Sequence, residues 1–516
     1  MTSAQIGIIL SIVLYLIGML AIGFWTTKNN KTSDDFYLGG RRLGPLVTAM
    51  SAEASDMSSW LLMGLPGVAY LTGMAEAGWT AIGLAVGTYL NWLFVARRIR
   101  RYSEVCGNAI TLPDFFANRY HAKNKALLSV AALLIIIFFI PYTASGFAAC
   151  GKLFNSLFNV NYVTAMVLSA VVIVGYTTLG GFLAASTTDF VQSIVMTAAL
   201  LIVMVFGILS AGGVDAVLQN ARSLTDYLSL QAYHNVSTGA TGTYDFWTIV
   251  STLAWGLGYF GMPHILLRFM AIKEERKLTL SRRVATVWVV ISLLVATLIG
   301  VIGYGMTAAG KINLLDGSAS ETILIQIAQL LSQYGFFFAI LAGIVMAGIL
   351  ASTMSTADSQ LLAAASAVSR NILEDAFGVK LTSKGSIRVA RFTVLGISAI
   401  SILIALDPTS SVFRIVSFAW AGFGAAFGPV VLLALFWRRS NQWGALSGMI
   451  GGGAMVFIWK FLLRPLGGFW GIYELLPAFV VAIVINVVVS LCTKAPEQDV
   501  LSEFDRVVGK PGRAAA

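Results

Sequence analysis

Thirteen apolar runs, most of them about twenty residues or longer, dominate this sequence. A helix needs roughly 20 apolar residues to cross the hydrocarbon core of a bilayer, so each run is long enough to be a membrane span. Charged residues make up only 11% of the 516 residues, whereas globular domains average about 25%. The sequence therefore predicts an all-α integral membrane protein with about 13 transmembrane helices. The predicted spans are 5–27, 45–72, 74–96, 125–155, 161–179, 184–211, 246–271, 284–309, 336–369, 388–406, 412–436, 441–463 and 470–492.

The net charge of +10 comes mainly from basic residues in the short loops between these runs. Alternate loops rich in Lys and Arg are the topology signal of a multi-pass membrane protein and argue against nucleic-acid binding. By the positive-inside rule, we expect a plasma-membrane protein with its N-terminus outside and its C-terminus in the cytoplasm. We expect one domain embedded in the lipid bilayer over 1–496 and a polar cytoplasmic tail over 497–516. No obligatory protein partner is indicated.

The second run is interrupted by MSAEASDMSSW (50–60), which places Asp56 among small hydroxyl residues at membrane depth. A charged side chain there costs roughly 2.5–3.5 kcal/mol on insertion scales and usually marks a functional site. Serine competes for backbone hydrogen bonds, and Gly64, Pro66 and Gly67 follow, so a continuous helix is disfavoured. Irregular backbone at this depth is tolerated where it lines a protein cavity. We therefore predict a solute or ion site on a broken helix.

A second interruption, WGLGYFGMPH (255–264), lies in the seventh span and contains three glycines and a proline. The second and seventh spans each open a group of five, over about 45–211 and 246–436. Because five is odd, the second group is inverted in the membrane relative to the first. Interrupted helices at matching positions of two repeats indicate the binding site of a secondary transporter.

The ninth span carries ASTMSTADSQ (351–360), with five hydroxyl residues and a carboxylate. Such a run suits a small hard cation that binds several oxygens. The Asp56 segment can supply carbonyl oxygens, and Ser355 and Thr356 can supply hydroxyls. The sequence has no phosphate-binding GxxxxGK[ST] motif and no residue spacing typical of an enzyme or of a bound cofactor. We therefore expect a non-enzyme with no organic cofactor.

Several long motifs identify the chain as similar to the sodium:solute symporter family, over nearly its whole length, and within that family to the branch that transports proline. They are DDFYLGGRRLGP (34–45), SAEASDMSSWLLMGLPG (51–67), TLPDFFANRY (111–120), PYTASG (141–146), GGFLAASTTDFVQ (180–192), WGLGYFGMPHILLRFMA (255–271), MSTADSQLL (354–362) and AWAGFGAAFGPVVL (419–432).

This resemblance implies a five-plus-five inverted-repeat (LeuT-like) core with one N-terminal and two C-terminal flanking helices. It also implies sodium-coupled uptake of L-proline by alternating access. Asp56 resembles the essential carboxylate of the branch, acting by direct coordination or by sodium-dependent ordering. Asp189 resembles a residue that serves sodium release or a second cation position. The implied sodium ligands are the carbonyls of Ala54, Met57 and Ser352 and the hydroxyls of Ser355 and Thr356. The implied substrate residues are Ser58, Trp60, Tyr142, Trp255, Tyr259 and Pro263.

Three alternatives stay open from the residues. Another small solute, such as a different amino acid, pantothenate, a sugar or a carboxylate, would fit the same architecture, although the Trp255–Pro263 segment favours proline. An ion channel needs a continuous polar pore, whereas this sequence offers discrete sites on interrupted helices. A membrane sensor would need a signalling domain, for which the sequence offers no candidate.

Overall fold

The computed structural model describes residues 2–27, 32–179 and 181–509, and these residues are predominantly helical. A short antiparallel hairpin pairs β1 (Ala232–His234) with β2 (Thr241–Thr243). The α-helices are α1 Ser3–Thr27, α2 Ser33–Leu38, α3 Pro45–Asp56, α4 Leu65–Thr72, α5 Met74–Leu90, α6 Ala96–Val105, α7 Leu112–Arg119, α8 Ala126–Phe158, α9 Tyr162–Leu179, α10 Phe182–Ser210, α11 Val214–Arg222, α12 Phe246–Leu253, α13 Pro263–Ala271, α14 Leu278–Ala308, α15 Ile323–Ser332, α16 Phe336–Ser366, α17 Ser383–Ile404, α18 Val412–Phe436, α19 Gln442–Ile458, α20 Leu475–Cys492 and α21 Gln498–Val508.

Within the described ranges, ten helices are long and apolar enough to cross a membrane. They coincide with ten of the thirteen predicted runs. The remaining three runs correspond to the shorter helix α9 and to the two segments predicted to be interrupted. The all-α membrane architecture is therefore confirmed, while the total of thirteen spans stays a prediction.

The first interruption of a predicted membrane helix involves few residues. Helix α3 ends at Asp56, and Met57 leaves the helical region with ψ 2°. A π-helical turn, Trp60–Gly64, then leads into α4, and all its residues are buried. A π-turn inside a helix is rare and occurs often at functional sites. The predicted break exists, but it spans fewer residues than the serine-rich sequence suggested.

The second interruption is longer. A 3₁₀ segment, Ala254–Gly261, follows α12, and Met262 is extended with φ −74° and ψ 110°. Pro263 then begins α13 at a first-turn position, where its missing N–H leaves no intrahelical bond unmade. Glycine and proline therefore interrupt the helix within this apolar run, as the sequence predicted.

The 3₁₀ segment approaches α5 at backbone-to-backbone distance. A Cβ atom on Gly87 would overlap the carbonyl oxygen and Cα of Gly256, and one on Gly83 would overlap the carbonyl oxygen of Leu253. Backbone atoms cannot move aside as a flexible side chain can. The close contact between α5 and the interrupted helix therefore requires glycine at these positions.

Replacing Gly87 by alanine is expected to destabilise the fold by about 1–3 kcal/mol, the usual cost of overpacking a dense interior. The thermal unfolding midpoint of the detergent-purified protein measures this. Gly396 on α17 is the matched control, because its Cβ position has no described atom within 4 Å. Gly396→Ala should leave the midpoint unchanged or raise it slightly, since alanine favours helix. Equal midpoints for the two variants would contradict the assignment.

Basic loops and the C-terminal helix share one end of the molecule, here called the basic face. Arg97 and Arg101 bind Glu275 at 2.6 and 2.8 Å. Helix α21 packs here through the buried side chain of Phe504, and Asp505 pairs with Arg438 at 2.9 Å. The polar tail predicted from residue 497 onward thus begins with a docked amphipathic helix.

Backbone hydrogen bonds, here called the seam, join the two repeats at the basic face. Leu43, just before α3, pairs with Ile272, just after α13, in a parallel β-bridge. The Leu43 N–H donates to the Ala271 carbonyl at 3.2 Å, and the Lys273 N–H donates to the Leu43 carbonyl at 3.0 Å. The ends of both interrupted helices are therefore fastened together on this side.

Candidate functional site

Helix α3 and helix α16 contact each other through the residues predicted to bind sodium. The Ser355 hydroxyl lies 2.8 Å from the Ala54 carbonyl oxygen and 3.2 Å from the Ser352 carbonyl oxygen. Ala54, Ser352 and Ser355 are fully buried. The structure therefore brings together three of the predicted ligand oxygens, although Ala54 and Ser355 lie 301 residues apart in the chain.

The Thr356 hydroxyl is a further candidate ligand oxygen. It is buried and has no hydrogen-bond partner among the described residues. A cation of about the size of calcium binds oxygens at roughly 2.4 Å, which places neighbouring ligands of an octahedral shell roughly 3.4 Å apart. The observed separations of about 3 Å need only a small expansion to reach this value. The donor set consequently suits a hard cation such as sodium.

Asp56 is the carboxylate at the end of α3, and it meets the second interrupted helix directly. Its Oδ2 accepts a 2.5 Å hydrogen bond from the Tyr259 hydroxyl, and its backbone carbonyl accepts one of 3.2 Å from the Tyr142 hydroxyl. The Asp56 side chain has no Lys, Arg or His within 4 Å in the described part of the chain. A buried carboxylate without a cationic partner is costly, so the position favours a bound cation.

A small cavity of about 10 Å³ lies beside Asp56, between the two interrupted helices. The indole N–H of Trp60, which is on its wall, has no hydrogen-bond acceptor among the described residues. An unpaired buried donor is the group that a solute carboxylate would satisfy. The residues lining this central cavity are Asp56, Met57, Trp60, Leu84, Tyr142, Trp255, Val416 and Trp420.

An aromatic layer covers the central cavity on the side away from the basic face. Trp60 stacks on Phe413 with ring centroids 5.7 Å apart, and Trp255 stacks on Tyr473 at 5.2 Å. Trp60 and Trp255 contact each other at 5.3 Å. Trp60 and Trp255 are thus shared between the aromatic layer and the wall of the central cavity.

A buried ion pair holds one edge of the aromatic layer in place. Glu321 accepts hydrogen bonds from the N–H groups of Val412 and Phe413, each at 3.0 Å, at the start of α18. It also accepts from the Ser411 hydroxyl at 2.7 Å and binds the Lys152 ammonium at 2.7 Å. A carboxylate at a helix N-terminus satisfies unpaired N–H groups and the helix dipole. Glu321 thus fixes the helix end that carries Phe413.

Asp189 lies in a separate buried cluster toward the basic face. Its Oδ2 accepts from the Ser51 hydroxyl at 2.7 Å and from Arg268 at 3.2 Å. Arg268 also donates to the Ser359 hydroxyl at 2.5 Å. Ser51 lies about one helical turn, roughly 5.4 Å, before Ala54 on α3, and Ser359 lies about one turn after Ser355 on α16. Asp189 is therefore a neighbour of the Ser355 site rather than one of its ligands.

Four predicted residues contribute less directly. The Met57 carbonyl accepts the Leu61 N–H at 3.1 Å, and the Ser58 hydroxyl accepts the Trp60 N–H at 3.1 Å. Ser58, Tyr259 and Pro263 lie outside the wall of the central cavity, and Tyr259 contacts that wall through Asp56 and Trp420. Their predicted roles as ligands stay predictions.

Sequence reasoning missed several buried polar groups. Glu53, one turn before Asp56, accepts the Trp92 indole N–H at 2.7 Å. Asp358 and Arg268 complete the Asp189 cluster, and Trp420 lines the central cavity. Glu53, Asp358 and Arg268 were detectable as charged residues inside apolar runs, which is the signal that selected Asp56.

Two interrupted helices that meet at a buried carboxylate, beside a cluster of buried hydroxyl and carbonyl oxygens, define a cation-coupled secondary transporter. The sequence pattern of the sodium:solute symporter family matches residues 36–452. The chain belongs to this family.

Proteins similar over their whole length support the same assignment. The osmoregulated proline transporter OpuE of Bacillus subtilis is 41% identical over 492 residues, which cover 95% of this chain and 96% of that protein. The sodium/proline symporter of Haemophilus influenzae is 41% identical over 511 residues, covering 96% and 97%.

Solved structures confirm the fold. The outward-open, substrate-bound structure of a Na⁺-coupled sialic acid symporter matches with a TM-score of 0.77 and 17% identity, covering 95% of this chain and 99% of that chain. Mhp1, a nucleobase-cation-symport-1 family transporter, matches in a closed conformation with a TM-score of 0.51 and 14% identity, covering 91% and 98%. The predicted LeuT-like inverted-repeat architecture is confirmed.

Proposed function

We propose that this protein couples the inward movement of sodium to the uptake of L-proline by alternating access. The observation that carries the proposal is the junction at Asp56, where a buried carboxylate at the end of α3 accepts a hydrogen bond from Tyr259 of the second interrupted helix and borders the central cavity. The whole-length relatives named as proline transporters support the choice of solute.

Sodium binds, in this proposal, between the oxygens of Ala54, Ser352, Ser355 and Thr356, with the Met57 carbonyl completing the shell. Proline occupies an enlarged central cavity. Its carboxylate faces the Trp60 indole N–H, and its apolar ring contacts Trp255 and Tyr142. Ser58, Tyr259 and Pro263 act by shaping the two breaks. Sodium and proline must each favour the same conformation, so by linkage each raises the affinity for the other equally.

The basic face is cytoplasmic in this proposal, because short loops rich in Lys and Arg stay on that side of the membrane. The N-terminus is then outside and α21 inside. In this proposal Asp189 lies between the Ser355 site and the cytoplasm. It therefore contacts sodium during release or forms a second cation position.

The driving force is sufficient for concentrative uptake. One sodium ion moving inward through about 100 mV releases about 2.3 kcal/mol, and a tenfold sodium gradient adds about 1.4 kcal/mol. Together these support an accumulation of a few hundredfold at one sodium per solute. Labelled proline should therefore accumulate in proteoliposomes only when sodium is imposed outside. Competition by unlabelled amino acids, pantothenate, sugars and carboxylates tests the solute, and conductance without saturable uptake would contradict symport.

Replacing Thr356 by valine is expected to raise the sodium concentration for half-maximal uptake about tenfold, because one ligand oxygen worth about 1.4 kcal/mol is lost. Thr353→Val is the matched control on the same helix. The Thr353 hydroxyl donates to the Ile349 carbonyl of its own helix and also contacts the Cys150 thiol, and it is not among the predicted sodium ligands. An equal effect of both substitutions would contradict the sodium site.

A further inference from the structure

The carbonyl oxygen of Tyr259 accepts a hydrogen bond from outside its own helix. The donor is the side-chain amide of Asn91, at 3.0 Å, and both residues are buried. In a continuous α-helix this carbonyl would accept the N–H of the residue four positions later. That residue is Pro263, which has no N–H. Asn91 therefore supplies a donor in place of the one that proline lacks.

The local backbone presents Asn91 to the second interrupted helix. Asn91 opens a π-helical turn, Asn91–Val95, that continues α5, and such turns occur often at functional sites. Gly87 lies four residues earlier, hence on the same face of the helix, and a Cβ atom there would overlap Gly256 of the 3₁₀ segment. The face of α5 that carries Asn91 thus packs directly against the second break.

Only one half of the Asn91 amide is hydrogen-bonded. Its Nδ2 donates to the Tyr259 carbonyl, whereas its Oδ1 is buried without a hydrogen-bond partner among the described residues. A buried acceptor without a partner is costly, and an apolar side chain of similar size would avoid that cost. Stability alone therefore does not explain an asparagine at this position.

Two adjacent residues of the π-helical turn connect the two interrupted helices. Asn91 holds the backbone of Tyr259, whose hydroxyl donates to Asp56 at 2.5 Å. Trp92 donates its indole N–H to Glu53 at 2.7 Å, one turn before Asp56 on α3. The π-helical turn therefore fixes both partners of the hydrogen bond between Tyr259 and Asp56.

We propose that Asn91 is a positioning residue for sodium coupling. By holding the Tyr259 carbonyl, its amide keeps the Tyr259 hydroxyl at hydrogen-bond distance from Asp56 and so orders that carboxylate for the ion. Asn91 is outside the wall of the central cavity, so it acts through Tyr259 and not by contact with the solute. This inference rests on the proposed function, since it takes Asp56 to act in sodium binding.

Sodium titration of proline uptake in proteoliposomes tests the role of Asn91. Asn91→Leu removes the donor at similar side-chain size and should raise the sodium concentration for half-maximal uptake about fivefold, the equivalent of one hydrogen bond. The thermal unfolding midpoint should change little, because the lost hydrogen bond and the removal of the unpaired Oδ1 have opposite effects on stability. Thr80→Val is the matched control. It removes a buried α5 hydroxyl that has no partner in the described part of the chain, and it should leave sodium activation unchanged.

A double variant shows whether Asn91 acts through Tyr259. In Tyr259→Phe the hydroxyl that meets Asp56 is already absent, so adding Asn91→Leu should cause little further change in sodium activation. Residues that act through one hydrogen bond show such non-additive effects. An equal effect of Asn91→Leu in both backgrounds would overturn the inference.

The outcomes separate this inference from the proposed function. If the wild type does not accumulate proline under a sodium gradient, the proposed function itself fails. If it does, but Asn91→Leu leaves sodium activation unchanged, the positioning role alone is overturned. Asn91→Ala, which adds no apolar bulk, repeats the test. If neither variant folds, Asn91 is a structural residue, and the positioning role is overturned as well.

Discussion

Replacing Asp56 by asparagine is expected to raise the sodium concentration for half-maximal proline uptake about 100-fold or more, equivalent to about 2.7 kcal/mol. The amide keeps the size of the side chain and can still accept the Tyr259 hydrogen bond. It lacks the negative charge that, in this buried position, has no cationic side chain beside it in the described ranges. The negative charge attracts sodium, so the loss of sodium affinity should be large. Sodium titration of uptake in proteoliposomes measures it.

Two further variants test whether the effect of Asp56→Asn comes from the lost charge at this position. Tyr259→Phe keeps the carboxylate but removes its hydrogen bond, so it should shift sodium activation less than Asp56→Asn does. Asp245→Asn changes an exposed carboxylate that caps α12, where asparagine is an equally good cap, and should change nothing. Sodium activation that is unaltered in Asp56→Asn would reject the assignment of Asp56 to the ion site.

Replacing Glu321 by alanine is expected to lower the free energy of unfolding by about 3–5 kcal/mol, the usual cost of leaving one member of a buried ion pair alone. Lys152 would keep its charge in a site where only backbone carbonyl oxygens remain, those of Ser410 at 2.8 Å and Ser318 at 3.4 Å. The first N–H groups of α18 would lose their acceptor as well. The thermal unfolding midpoint measures the stability. Sodium-driven uptake should fall with it, because Phe413 loses its anchor at the aromatic layer.

The double variant Glu321→Ala with Lys152→Met separates the ion pair from the helix cap. Removing the stranded ammonium should recover part of the lost stability, so the two substitutions together should cost less than the sum of each alone. The lost cap of α18 should remain as a residual defect. Strictly additive effects would show that Lys152 and Glu321 do not act as a pair.

The architecture was accessible from the sequence because a bilayer imposes simple rules on length and polarity. Membrane spans follow from run length, and both interruptions follow from residues that make poor helix, such as Gly261 and Pro263. The extent of each break was less accessible. The serines around Asp56 suggested a long unwound stretch, but only Met57 leaves the helix before a π-turn restores it. Burial against neighbouring helices outweighs the weak helix preference of serine.

The site was predictable where one motif carries several ligands, and unpredictable where partners are distant in the chain. Ser355 and Thr356 adjoin each other in one motif, and the resemblance implied that Ser355 lies near Ala54, as the structure shows. Lys152 and Glu321 lie 169 residues apart in the chain. A contact between such distant residues leaves no periodic pattern in the sequence. Glu53 was within reach, since it is a charged residue in the same apolar run as Asp56.

The seam between Leu43 and Ile272 has a consequence for how variants of this transporter can differ. Its two hydrogen bonds use main-chain atoms, so nearly any residue at these positions preserves them, and each contributes about 0.5–1.5 kcal/mol. The resistance to separation of the two helix ends that they provide is therefore nearly independent of side-chain identity. Related sequences can thus differ at these two positions without losing the connection between the repeats.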